Sequence, residues 1–368
     1  MESRFNITRG GELRKHLVID YKWKKDENEE QYIEVWMERK KEDIVKSYET
    51  FIKTVVKVRK TPAPPGMVLK NSEEDDPHNI DMHRSLVGKV MFYATKVCPK
   101  IVNASQELAT HMSNPNQEHW KLMDHLIGYI KGTIGEPSMI LRKPLELRCV
   151  SFVDASYGNT SEGRRSISGE MHTVGGMISA FSSRSQRTVS LSSTESEYIA
   201  AGSAAQEMIF QQMLLSEIAE NNYPGVIFED NAGAIFLSKN KQVGQRTKHI
   251  DVRYHFLREF TDKKNESCGG GIMMKVDGKE NYADLMTKNV DGATFEYLGR
   301  NIDRGLNRLR DEEYDLKVNQ QLGGMSRTES LEVVDDVPSL DKWIRHVKKR
   351  KLNEKDASMC ENNDVEMT

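Results

Sequence analysis

From Leu145 onward, the sequence consists of short apolar runs, then one long helical stretch, then further strand and helix patterns in alternation. The run from Val150 to Val153 has the length of a buried strand. Between about Thr194 and Ile218, apolar residues recur with helical spacing. Because such alternation is typical of helices packed on a sheet, we predict an α/β domain over residues 145–301.

The segment before this domain has three shorter periodic stretches. A strand, its hairpin mate and an amphipathic helix are predicted at residues 13–22, 32–36 and 41–58. A Pro-rich and acidic stretch follows between Thr61 and Pro77, and proline cannot continue a helix or a central strand. We therefore interpret residues 1–65 as an incomplete domain that is followed by a linker.

Helices are predicted after the linker, and a polar tail at the end of the chain. The helices fall at residues 82–95, 101–112 and 118–131, within a helical unit that covers residues 78–140. Residues 302–368 lose periodicity and are rich in charge, so we expect a charged, largely disordered tail. Its basic run Lys348–Lys351 is compatible with a nuclear import signal and equally with a solvated charge run.

Composition excludes some classes of protein. No run of about eighteen apolar residues occurs, so we expect no spanning helix and no membrane partner. The 4 cysteines are scattered singly without metal-ligand spacing, which predicts an intracellular protein of the cytoplasm or the nucleus. The net charge of -3 gives no global attraction to nucleic acid, so such binding requires a local basic patch.

Acidic residues lie beside several of the predicted elements. Asp154 and Asp230 each follow a strand pattern, Glu195 and Glu197 lie at the start of the long helix, and Asp284 lies in a short amphipathic helix. Taken singly, each is explained by a turn, a helix cap or a solvated face. Residues two apart project to nearly opposite sides of a helix, so at most one of Glu195 and Glu197 can face a site shared with Asp154.

Taken together, the order strand Asp, helix Glu, strand Asp and late helix Asp is that of the ribonuclease H carboxylates. The sequence motifs that contain or flank these acidic residues are Gly163-Arg-Arg-Ser-Ile-Ser-Gly169, Ser192-Ser-Thr-Glu-Ser-Glu-Tyr-Ile-Ala200, Glu229-Asp-Asn231, Arg246-Thr-Lys-His-Ile-Asp251 and Ala283-Asp-Leu-Met-Thr-Lys288. In these motifs the chain resembles the Pol polyproteins of copia-type retrotransposons. The resemblance implies a ribonuclease H-like mixed sheet flanked by helices at residues 145–301. It also implies a connection segment at residues 78–140 and a truncated reverse transcriptase palm and thumb remnant at residues 1–65.

The same resemblance implies roles for single residues. Asp154, Glu197, Asp230 and Asp284 match the catalytic, metal-binding carboxylates, and Glu197 is preferred over Glu195 because Tyr198 and Ile199 follow it directly. The implied reaction is endonucleolytic hydrolysis of RNA in RNA–DNA hybrids. Two Mg²⁺ ions, which Mn²⁺ can replace, would activate water and stabilise the leaving 3′ oxygen.

Basic side chains near the matched motifs are candidate contacts to the phosphates of the hybrid: Arg164, Arg165, Arg184, Arg246, Lys248, His249 and Lys288. For His249, a contact to the substrate and a helix-capping role are equally compatible with the sequence. One departure from the family lies beside a matched carboxylate. Glu229 replaces a small residue or Cys, and strand alternation is expected to point its side chain away from Asp230.

Three hypotheses about function remain open. The first is an active ribonuclease that cuts RNA–DNA hybrids. Polymerase activity is expected to be absent, since the family's Tyr-x-Asp-Asp turn is not found in the sequence. Other parts of the polyprotein would be its partners. The second is a nucleic-acid-binding relic that does not cut. The third is a pseudogene product or host interaction module, whose first sixty residues cannot complete a sheet. Oligomeric state is not predicted.

Overall fold

The structure is a computed structural model that describes residues 12–70, 79–144, 147–158, 164–219, 224–240, 256–262, 270–303 and Leu306. Helices and a mixed sheet form an α/β protein, which confirms the predicted class. Candidate residues Arg246, Lys248 and His249 lie outside the described residues, as do the run Lys348–Lys351 and nearly all of the predicted tail. Among the described residues, no helix is long and apolar enough to cross a membrane.

The first sheet is antiparallel, in the order β1-β2-β3-β4. Its strands are β1 (Lys15–His16), β2 (Ile19–Lys25), β3 (Gln31–Trp36) and β4 (Met139–Arg142). The strand predicted at residues 13–22 is wrong in one respect, because a turn at Leu17, with φ 55, divides it. The first sixty residues supply three strands of this sheet, and β4, from the later segment Met139–Arg142, pairs with β3 and completes it. That these residues derive from a reverse transcriptase stays a prediction.

Four helices follow the first hairpin, at α1 (Glu38–Ile52), α2 (Ile80–Val97), α3 (Val102–Thr110) and α4 (Gln117–Gly132). Helix α1 ends before the predicted residue 58 because Lys53 adopts the left-handed conformation, with φ 56. The Pro-rich stretch has no helix or strand in its described part, as predicted. It is packed nevertheless, because Ala63 and Leu69 are buried.

The second sheet is mixed and has five strands in the order β7-β6-β5-β8-β9. They are β5 (Cys149–Ser156), β6 (Ile167–Val174), β7 (Met177–Ser185), β8 (Gly225–Glu229) and β9 (Gly271–Lys275). Strands β5, β6 and β7 are antiparallel, whereas β8 is parallel to both β5 and β9. The carboxyl ends of β5 and β8 therefore lie at the same edge of the sheet.

Helices cover both faces of this sheet. On one face lie α5 (Ser193–Ala219), α6 (Ala232–Lys239) and α7 (Phe256–Phe260), and their apolar side chains form one core with Val153 and Ile227. On the other face lies α8 (Asp284–Thr287), whereas the following helix α9 (Gly292–Asp303) packs against β4 and α4. The apolar side chains of this face, such as Phe152 and Phe228, share one core with helices α1 to α4. The upstream helices and the sheet domain are therefore packed as a unit.

Candidate metal centre

Two adjacent parallel strands carry the two strand aspartates to one edge of the second sheet. Phe152 of β5 is level with Phe228 of β8, so Asp154 and Asp230, each two residues further on, are level as well. Residues two positions apart in a strand face the same side of the sheet. Asp154 and Asp230 therefore face the same side as Phe152 and Phe228, which is the side covered by α8. Asp154 is buried, whereas Asp230 is partly exposed just after its strand.

Glu197 comes from the first turns of α5. Ser192 caps this helix, since its Oγ accepts a hydrogen bond from the Glu195 N–H at 3.1 Å. The Glu195 carboxylate accepts from the Leu191 N–H at 2.7 Å and so is directed back along the cap. Glu197 instead reaches the aspartates, which accords with the expectation that at most one of the two glutamates faces Asp154.

Helix α8 brings the fourth predicted carboxylate, that of Asp284. Gly169 is level with Asp154 on β6, and a Cβ there would lie 2.7 Å from the Met286 Cβ, so only glycine allows α8 this close. The Asn281 side chain fixes the approach by donating to the Val153 carbonyl at 2.8 Å. Thr287 donates from its hydroxyl to the Asp154 carboxylate. Asn281 and Thr287 were not among the predicted site residues, although Thr287 lies inside one of the motifs shared with the family, at residues 283–288.

The structure brings three of the four predicted carboxylates into one cluster. One oxygen from each of Asp154, Glu197 and Asp230 lies within 4.8 Å of the others. Asp284 is joined to them through Lys288, whose ammonium donates to Asp154 at 3.0 Å and to Asp284 at 2.9 Å. Lys288, predicted to contact phosphate, thus lies against the acids, where its charge offsets theirs.

Burial and the charges of the site together raise the pKa of Glu197 and of Asp284. Burial raises the pKa of Glu197 to about 11, and the negative charges of Glu229 and Asp154 contribute to the rise. Burial, followed by the charge of Asp154, raises the pKa of Asp284 to about 6. For Lys288, burial acts to lower the pKa, but the charges of Asp154 and Asp284 outweigh it, so this pKa is raised.

The donor set fits a hard divalent cation. Carboxylate oxygens are the ligands that Mg²⁺ and Mn²⁺ prefer, and the three clustered acids come from three different elements. The Oε2 atom of Glu197 is buried and has no hydrogen-bond donor among the described residues. A buried carboxylate oxygen without a donor is costly, and either a proton, as the raised pKa of Glu197 reflects, or a bound cation removes that cost.

The expectation about Glu229 needs a correction. Strand alternation does direct its side chain to the face opposite Asp230, as Ile227 packs on the α5 side. That face carries Glu197, however, so Glu229 lies beside the cluster rather than away from it, and its charge acts on Glu197. It is fully buried.

The remaining predicted basic residues lie around the same edge. Arg164 and Arg165 precede β6 and Arg184 lies near the end of β7, so all three are at the end of the sheet that carries Asp154. Arg164, Arg165 and Arg184 are exposed.

An open cleft of about 510 Å³ leads to Asp284 and Lys288. One wall comes from the sheet domain, and the other comes from residues 66–69 and from α3. The side chains in this wall from α3 and its C-cap are polar or ionisable: Asn103, Glu107, Thr110 and His111. This wall could not be predicted from the sequence, because it joins segments that are far apart along the chain.

Comparisons with known proteins bear on the identity of the chain. No family model matches it. It is 32% identical over 269 residues to the retrovirus-related Pol polyprotein from transposon TNT 1-94 of Nicotiana tabacum, a match to 73% of this chain and 19% of that polyprotein. It is 28% identical over 222 residues to the retrovirus-related Pol polyprotein from transposon RE2 of Arabidopsis thaliana, a match to 60% of this chain and 15% of that polyprotein. The chain thus spans less than a fifth of the length of these relatives.

Among solved structures, the N-terminal ribonuclease H domain of a Mycobacterium tuberculosis protein, fused to maltose binding protein, is 11% identical. It aligns with 42% of this chain and 98% of its own, with a TM-score of 0.27.

Fold and site define a mixed α/β protein with an acidic cluster that can hold a metal ion. Its homologues are the retrovirus-related Pol polyproteins of copia-type transposons, and the resemblance predicted from the sequence motifs is confirmed.

Proposed function

We propose that the chain is a metal-dependent ribonuclease that cuts the RNA strand of RNA–DNA hybrids, as the nuclease part of a transposon Pol polyprotein. The observation that carries the proposal is the convergence of Asp154, Glu197 and Asp230. These acids come from a strand, a helix and a strand, in the order that the resemblance to ribonuclease H implies. Asp284, from a late helix, completes that order.

Asp154, Glu197, Asp230 and Asp284 would hold the divalent ions. When bound, Mg²⁺ supplies an activated water and a positive charge for the leaving 3′ oxygen of the cleaved phosphodiester. The chain itself supplies the positions of the acids. Thr287 and Lys288 donate to Asp154, and these two contacts fix the direction of its carboxylate.

Binding of the hybrid would use the basic edge of the sheet and the cleft. Arg164, Arg165 and Arg184 offer positive charge on the side of the sheet that carries Asp154. In the cleft wall, the exposed hydroxyl of Thr110 offers a hydrogen bond to a sugar–phosphate backbone without reading bases. Recognition of a hybrid by its backbone shape and 2′-hydroxyls needs contacts of this kind.

The test is cleavage by the full chain of an end-labelled RNA–DNA hybrid with Mg²⁺, beside double-stranded RNA and double-stranded DNA of the same sequence. The proposal predicts internal cuts in the RNA of the hybrid alone. Equal cutting of all three substrates would reject the hybrid specificity. Binding of the hybrid without any cut would support the alternative, a nucleic-acid-binding relic.

A further inference from the structure

Glu229 combines full burial with an unpartnered carboxylate oxygen. Its Oε1 atom accepts a hydrogen bond from the Asn231 N–H at 2.9 Å. Its Oε2 atom is buried and has no hydrogen-bond partner among the described residues. A buried carboxylate that lacks a donor on one oxygen is costly unless a positive charge or a proton lies beside it.

The position of Glu229 on β8 places its side chain beside the first turns of α5 and so near Glu197. Ile227 and Val153 pack in one core with Tyr198 and Ala201 of α5, so this face of β8 is covered by the first turns of that helix. Glu229, two residues after Ile227, lies on the same face and at the edge where the cluster begins. Glu197 directly precedes Tyr198, and its Oε2 atom is likewise buried and unpartnered.

The nearest cation of the site is engaged elsewhere. Lys288 donates to Asp154 and Asp284, on the α8 side of the sheet. Within the described part of the chain, no lysine or arginine forms an ion pair with Glu197 or Glu229. Two carboxylates therefore share the α5 side of the site without an ion-pair partner among the described residues.

We propose that Glu229 is a fifth metal-ligating carboxylate, which acts with Glu197 to hold a divalent cation on the α5 side of the cluster. The inference rests on the proposed function for the identity of the other ligands. Oxygen-rich sites bind hard divalent cations more tightly as the number of charged ligands increases. With five acids in place of the four that the resemblance implies, this chain binds the metal more tightly than a four-acid site.

The test is calorimetric titration of the metal-free full chain with Mn²⁺, without nucleic acid. We expect Glu229→Gln to weaken Mn²⁺ binding by about tenfold or more, by analogy with the 10–100-fold losses that follow changes around metal sites. Glu195→Gln is the matched control, since Glu195 is also buried near the helix start but bonds to Leu191, and its Mn²⁺ affinity should stay unchanged.

If Glu229→Gln does not fold, Glu229→Ala serves instead, because small residues are usual at this position in the family, and the same loss is expected. Unchanged Mn²⁺ affinity in a folded Glu229 variant would overturn the inference and would mean that a shared proton offsets the two charges. This outcome is distinct from failure of the proposed function. A chain that binds Mn²⁺ through Glu229 but leaves the hybrid intact would reject the ribonuclease and keep the metal ligand.

Discussion

Asn289 donates a hydrogen bond from its side-chain amide to the Glu107 carboxylate at 2.9 Å, and this contact joins the loop after α8 to helix α3. The same amide donates to the Met67 carbonyl at 2.7 Å, and the Gly66 N–H donates to the Asn289 carbonyl at 2.7 Å. Asn289 directly follows Lys288, which bonds to the acids of the site. The upstream segments therefore hold the part of the site that carries Lys288.

This linkage predicts that the sheet domain is not stable by itself. A chain that starts at residue 140 lacks helix α3, which packs against β7 and α8, and lacks the upstream side chains that share one apolar core with Phe152 and Phe228. Each large apolar side chain that loses its cover costs about 1.5–3 kcal/mol. We expect thermal unfolding to occur about 10 °C lower or more than in the full chain, with strong binding of an apolar dye. Equal melting temperatures would show that the upstream helices are dispensable.

Asn289→Ala should destabilise the full chain, because it removes donors from the partly buried carboxylate of Glu107 and from the Met67 carbonyl. Loss of partners for buried polar atoms costs about 1–3 kcal/mol. Urea unfolding measures the change, with Asn28→Ala in an exposed turn as the control. A free energy of unfolding equal to that of the control would contradict the linkage.

Lys288→Met should destabilise the metal-free protein, because Asp154 and Asp284 lose the ammonium that lies between them. Lys288 is 44% exposed, so solvent screens the pair and the expected cost is about 1 kcal/mol. The cost should shrink in excess Mg²⁺, since the metal supplies the missing positive charge. Urea unfolding in EDTA and in Mg²⁺ measures both values, with exposed Lys279→Met as the control. A loss that Mg²⁺ does not reduce would argue against a cation at the cluster.

His83 should make the fold sensitive to acid. Its side chain is fully buried, and neither ring nitrogen has a hydrogen-bond partner within the described residues. Burial, together with the charges of His119 and His111, lowers the pKa of His83 from 6.5 to about 4. Between these values the unfolded chain binds the proton more readily, so stability falls as pH decreases from 6.5 to 4, by about 3 kcal/mol at most.

Urea midpoints measured across this pH range test the effect of His83. As the pH falls, the urea midpoint of His83→Leu should rise relative to that of the wild type. The midpoint of the exposed control His16→Leu should change in parallel with that of the wild type. A difference that is independent of pH would show that His83 does not titrate in this way.

The sequence predicted elements best where the information is local. The predicted bounds of helices α4 and α5 lie within one residue of the observed bounds. Both the helical spacing of their apolar residues and their capping residues, such as Asn116 and Ser192, are local features of the sequence. Asn231 caps α6 in the same way, since its side chain accepts from the Ala234 N–H. The three clustered acids were recognisable because each lies in a motif at the end or start of such an element.

What the sequence could not predict depends on distant partners. Strand β4 has four residues, and its pairing with β3, more than a hundred residues away, decides its structure rather than its own pattern. The turn at Leu17 escaped prediction because a leucine, rather than glycine or asparagine, adopts the positive φ. For Glu229, alternation predicted the face of the strand but not that Glu197 lies over that face.

The most direct test of the account is cleavage of the RNA–DNA hybrid by the full chain in Mg²⁺ and in EDTA, beside Asp154→Asn. The substitution keeps the size of a side chain that is buried at the centre of the cluster. We predict Mg²⁺-dependent cutting that EDTA abolishes and that falls about a hundredfold or more in the variant, since even residues around a metal contribute 10–100-fold. Cutting by folded Asp154→Asn at the wild-type rate, or cutting that persists in EDTA, would contradict the account.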